Sequence, residues 1–144
     1  RRSAQTGLIA FDRHIAAGSL KVVASELCHE RAGRHTCDRR LPRSELAAAF
    51  PGVDYSGVGD EEDPYWGDGR TREPLPALAA RAAEFVLWLM ARPEQHIAVA
   101  AHSAFYLAVF NSVLDCEDNR TSSAFATGEM RTVLLAPTGE AAAG

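Results

Sequence analysis

Apolar residues recur along the chain with two different periods, and the alternation sets the expected elements. Over residues 3–17 they fall at Ala4, Leu8, Phe11 and Ile15, a helical spacing, with Gly18 placed to stop the helix. Residues 20–24 read as a strand centred on Val22 and Val23. Residues 26–40 show no period and are rich in polar groups, so a loop is expected. A short helix follows over 44–50, with Ser44 as its cap and Pro51 ending it. Residues 52–72 hold Gly, Pro, Asp and Glu with Tyr55, Tyr65 and Trp66 interleaved, a connection long enough to suggest function. Within it the run Asp60, Glu61, Glu62, Asp63 reads as a solvated loop.

The clearest helix spans 75–92. Leu78, Ala82, Phe85, Val86, Leu89 and Met90 share a face, whereas Arg81, Glu84 and Arg92 sit mostly elsewhere. Pro93 forces a stop. Ile97, Ala98, Val99, Ala100 and Ala101 are apolar on both parities, as in a strand buried on both faces in the middle of a parallel sheet. A second apolar helix is expected over 104–114, a polar loop over 115–123, and a last strand over 130–136 around Val133, Leu134 and Leu135. Strands and helices alternate, which gives an α/β fold with helices covering a mainly parallel sheet. Only three strands can be counted, few for a doubly wound domain. Residues 1–136 form the expected domain and 137–144 a frayed tail.

Composition narrows the function. A 144-residue chain with 47% hydrophobic residues suits one domain with a real core. The net charge of −4 argues against a nucleic-acid binder but leaves room for a locally basic pocket that takes a small anion. No apolar run reaches membrane length, so no membrane partner is expected. No targeting segment is visible, although the chain opens at Arg1 without a Met and its natural start is expected to be missing. Cys28, Cys37 and Cys116 are odd in number and irregular in spacing, which favours reduced thiols and a cytoplasmic location. The oligomeric state is left open.

Three positions invite chemistry. His102 follows the apolar run 97–101 directly, and ligands of open α/β sheets bind beyond the carboxyl ends of strands. Ser103 and Ala104 then begin a helix whose free N–H groups favour an anion. His102 can donate to a phosphate oxygen there; position alone leaves open a His packed at a strand end. Glu30 follows the 20–24 strand on the same side and can act as general acid if its surroundings raise its pKa. Arg2 opens the first helix, where a cation is unfavourable unless it faces a bound anion.

The order of several short motifs adds a family resemblance. Arg1-Arg2-Ser3-Ala4-Gln5-Thr6-Gly7 resembles the "R-R-x-x-Q-T-A" stretch of the histidine phosphatase superfamily, the phosphoglycerate-mutase-like proteins. Leu27-Cys28-His29-Glu30 resembles that family's "L-R-E" segment, and Ala101-His102-Ser103-Ala104-Phe105 its "S-H-S-G-F" segment. Cys37-Asp38-Arg39-Arg40, the stretch from Phe50 to Ser56, Trp66 with Arg72-Glu73, and Phe125 with Glu129-Met130-Arg131 resemble a cytosolic branch found in plants and other eukaryotes. The resemblance covers almost the whole chain.

It implies a three-layer α/β/α phosphoglycerate-mutase-like fold, N-terminally truncated in this chain. It also implies metal-independent phosphomonoester hydrolysis through a phosphohistidine, with no cofactor and a phosphorylated small molecule as substrate. Arg2 and His102 would stabilise the phosphoryl oxygens, and Glu30 would protonate the leaving oxygen. Ser103, Ala104, Arg39 and Arg40 would bind substrate, and the Tyr65–Trp66 loop could line the site. The family's nucleophilic His lies in an "R-H-G" segment on its first strand, and no such triplet occurs here. Arg13-His14-Ile15 comes nearest but lies inside an expected helix. The sequence also departs from the family at Ala101 for Ser, Ala104 for Gly, and Thr127 or Gly128 for Asn.

The competing reading is a catalytically inactive fragment or relic that binds phosphorylated ligands or a partner protein. An in-frame Arg-His segment upstream would support the enzyme, and a true start near Arg1 the relic. A zinc site from Cys28, His29, His35 and Cys37 is disfavoured, because adjacent Cys28 and His29 chelate awkwardly. Asn119-Arg120-Thr121 fits a glycosylation acceptor, a triplet frequent by chance and at odds with free thiols.

Overall fold

The computed structural model describes residues 1–138. The first helical stretch is two helices, α1 (Arg2–Ala10) and α2 (Asp12–Ala16), in place of the single helix expected over 3–17. Phe11 divides them with φ −119° and ψ 22°, outside the helical region. Asp12 then opens α2, at the end where an acidic side chain suits the helix dipole. Gly18 closes it at φ +69°, and its N–H donates to the Ile15 carbonyl at 3.0 Å.

Strand β1 (Val22–Val23) pairs in parallel with β2 (Val53–Asp54), Val22 facing Val53 and Val23 facing Asp54. The Ala24 N–H extends the pairing to the Asp54 carbonyl at 2.8 Å. Between them lies α3 (Arg43–Ala49), capped by Pro42 and not by the expected Ser44. Ser44 sits inside the helix, where its N–H and hydroxyl both donate to Glu61 Oε1, at 3.1 and 2.5 Å. The acidic run is therefore anchored to α3 and is not simply solvated.

Helix α4 (Leu75–Met90) carries Pro76 in its first turn, where a missing N–H costs nothing. Leu78, Ala82 and Phe85 are buried along it, and so is Arg81, which was expected to lie away from the core. Helix α5 (Ser103–Ala108) widens into a π-helical turn over Val109–Val113, with the Leu114 N–H reaching the Val109 carbonyl at 3.0 Å. Phe105, Ala108, Val109 and Phe110 face Leu78, Ala82 and Phe85 to form the main core. The Phe85 and Phe105 rings meet edge to face, with centroids 5.3 Å apart.

Two expected strands are corrected. Residues 97–101 are not paired in a ladder; instead the Tyr106 hydroxyl donates to the Val99 carbonyl at 2.7 Å and accepts the Ala101 N–H at 3.1 Å. Residues 130–136 form no strand, and Leu134 is 93% exposed. An apolar run becomes a strand only where a neighbour takes its N–H and C=O groups, and among the described residues the sheet holds only β1 and β2. Arg131 organises this region instead. It donates to the carbonyls of Thr121, Ser123 and Ala124 and lies 3.8 Å over the Phe125 ring. The class is thus mixed helix with a small parallel sheet. No helix among the described residues is long and apolar enough to cross a membrane. Of the expected tail, residues 139–144 lie outside the described residues.

Candidate active site

His102 occupies the cap position of α5 in an extended conformation, φ −137° and ψ 158°. Its own side chain does not cap the helix. Glu30 does so from 74 residues away: Oε2 accepts the Ala104 N–H at 3.3 Å, and Oε1 accepts the Phe105 N–H at 3.2 Å. Oε1 also takes the Arg31 N–H at 2.9 Å. A carboxylate suits a helix start, where the first N–H groups lack partners within the helix. Burial pushes the His102 imidazole below its usual pKa; Glu30 draws it back up, and Arg2 lowers it further. Glu30 and Arg2 therefore both act electrostatically on His102.

Arg2 opens α1, which approaches residues 97–101 at Gly7. A Cβ on Gly7 would stand in ordinary contact with Ala100, 3.8 Å from its methyl carbon. Arg2 Nη2 donates to Asp38 Oδ1 at 3.0 Å and to the Cys37 carbonyl at 3.2 Å. The Asp38 side chain is 8% exposed and that of Arg2 59%, so the guanidinium is held from one side and open on the other.

The remaining expected positions divide. Ser103 is exposed at the first position of α5. The Ala104 N–H, expected to be free for an anionic ligand, is taken by Glu30. Arg39 is exposed and faces Glu62 at 3.8 Å. Arg40 ties the acidic loop together, with its donors engaged by protein groups. Its Nε lies 2.7 Å from Glu26, and its two terminal nitrogens donate to the carbonyls of Leu41, Asp60, Glu61 and Glu62. Tyr65 packs on the His29 ring at 4.4 Å and, with Trp66, Arg72, Ala77 and Glu84, lines an open groove of about 650 Å³ against α4. His102 is not among its lining residues. Burial pushes the Cys28 thiol up to about 11, which keeps it protonated at neutral pH. Among the described residues no three His, Cys, Asp or Glu side chains gather as metal ligands would.

Comparison with known proteins identifies the relatives. A phosphoglycerate mutase-like protein of Arabidopsis thaliana is 40% identical over 98 residues, covering 67% of this chain and 36% of that protein. Phosphoglycerate mutase-like protein 1 of the same plant is 35% identical over 118 residues, covering 79% and 42%. The chain belongs to the phosphoglycerate-mutase-like proteins. This phosphoglycerate-mutase-like chain spans about two fifths or less of the length of these relatives. No family model matches it, and no solved structure does.

Sequence reasoning about this phosphoglycerate-mutase-like chain missed Asp38, Glu73, Arg81 and Tyr106 as builders of the site. For Arg81 a signal existed. It stands three residues after Leu78 and four before Phe85, which places it on the buried face of α4. For Asp38 and Tyr106 no local pattern points to the partner that each one finds.

Proposed function

We propose that these residues form part of a metal-independent phosphomonoester phosphatase acting through a phosphohistidine. The observation that supports this reading is Glu30 capping the start of α5 next to His102, whose imidazole also feels the charge of Arg2, in a chain whose relatives are phosphoglycerate-mutase-like. The attacking His would come from outside these 144 residues, and the complete protein would adopt a three-layer α/β/α fold. The substrate class is a phosphorylated small molecule.

In the proposed first step a neutral imidazole nitrogen attacks phosphorus and the ester P–O bond breaks. The leaving oxygen takes a proton from the Glu30 carboxyl. In the second step Glu30, now ionised, takes a proton from water as the water oxygen attacks phosphorus and the P–N bond breaks. Arg2 offers its open face to the phosphoryl oxygens, and neutral His102 donates a hydrogen bond to them. Protonation of Glu30 would weaken its α5 contacts, because a neutral carboxyl is a poorer acceptor than a carboxylate. Hydrolysis is favoured over mutase chemistry because a mutase must also hold a phosphorylated product for re-transfer.

The test is phosphate release from an aryl phosphate by the full-length gene product. The variant His102→Ala is expected to lose about 10²- to 10³-fold in kcat, the effect of removing one donor to a charged transition state. Unchanged turnover in that variant would sink the assignment of His102. Absence of turnover in the unaltered protein, with retained binding of phosphorylated ligands, would favour the non-catalytic reading.

A further inference from the structure

Resting on the reading of Glu30 as proton donor, we propose that Arg81, through its buried pair with Glu73, is the positioning residue that holds the Glu30 carboxylate at the start of α5. Arg81 is 6% exposed, and a guanidinium is costly to bury unless nearly every donor is met. Nε and Nη2 grip Glu73 in a fork, at 3.1 Å to Oε1 and 2.8 Å to Oε2. Nη1 donates to two carbonyls, those of Leu27 at 2.8 Å and His29 at 2.9 Å. The Leu27 carbonyl lies within the 3₁₀ turn Glu26–Cys28 and that of His29 just after it, immediately before Glu30.

The other side of Glu30 is held by Glu73 itself. The Glu73 carbonyl accepts Arg31 Nε at 2.7 Å, and its N–H donates to the Ala32 carbonyl at 3.0 Å. One residue further, Gly33 at φ +97° lies so close to the Thr71 backbone that a Cβ there would overlap the Thr71 carbonyl oxygen. Glu30 is thus bracketed, by Arg81 at residues 27 and 29 and by Glu73 at residues 31 and 32. The guanidinium also lies 5.5 Å from the centre of the Phe105 ring, the residue whose N–H the Glu30 carboxylate accepts. Clamp and carboxylate share one platform. A lysine ammonium has no planar fork and cannot hold Glu73 in two places while meeting both carbonyls.

The experiment is native-state amide exchange on the full chain, comparing Arg81→Lys and Glu73→Gln with the unaltered protein. The Ala104 and Phe105 amides are expected to exchange about tenfold faster or more in both variants, as bonds to a charged acceptor are lost. Amides inside α4 and the Leu114 amide are expected to change by no more than about twofold. The His102 imidazole, whose charged form Glu30 favours, should titrate lower still. Unchanged exchange at Ala104 and Phe105 would overturn the proposal. So would equal acceleration across the chain, which would make the pair a general stabiliser only. If Arg81→Lys does not fold, Glu73→Gln keeps the side-chain shape and decides alone. The exchange pattern needs no turnover, so an inactive protein would sink the phosphatase reading and leave this one standing.

Discussion

At His102 two influences oppose each other. Burial disfavours the imidazolium, and Glu30 favours it. Burial prevails, so the folded pKa lies below the value near 6.5 that an unfolded imidazole has. His29 shifts in the same direction, first from burial and then from Arg81. Between the folded value and about 6.5 the unfolded chain binds more protons, so stability rises with pH there and is lost as acid is added. Proton NMR titration should put both ring midpoints below the ordinary value. In urea unfolding, stability relative to His102→Gln should fall on acidification below about pH 6.5; a rise would refute the assignment. His102, Glu30 and Arg2 could be singled out in the sequence as candidates because their motifs stand in a fixed order. The engagement of the Ala104 N–H was not, because its acceptor lies 74 residues away. Nor was the exhaustion of Arg40, since it depends on how a later loop folds back.

At the scale of elements, α4 was legible because its apolar stripe repeats over four turns, and Pro93 marks its end. β2 was not, since two residues within a Gly- and Pro-rich stretch carry no detectable alternation. Residues 97–101 show a further limit: their composition suits a buried strand, but pairing is a property of neighbours. The Tyr106 hydroxyl stands in for those neighbours by serving one carbonyl and one N–H. Removing it should leave both unmet. We expect Tyr106→Phe to lose about 1–3 kcal/mol in urea unfolding, and the Ala101 amide to exchange faster. An unchanged midpoint would show that water satisfies the segment equally well.

Across the whole molecule the support is uneven. The main core joins α4 to α5 and the turn after it, whereas α1 and α2 contain no buried residue. Local opening follows burial, so amides of α1 should exchange at lower free energy than those of α4 by about 1.4 kcal/mol or more, a tenfold difference in rate. Equal protection would refute this order. The long loops are secured differently. Arg40, Arg81 and Arg131 each gather two or more carbonyls from segments that no sheet orders. Guanidinium forks do here what ladder bonds do in a larger sheet.

The contact at Gly33 limits which sequences can keep this site. Its backbone lies against Thr71 with no room for a side chain, and φ +97° strains any other residue as well. In a library of single variants position 33 should therefore accept glycine alone, with Gly33→Ala losing about 1–3 kcal/mol or more. Gly59 has open space around it and should accept most residues. Mutational tolerance would then map the Glu30 clamp at a position that carries no chemistry of its own.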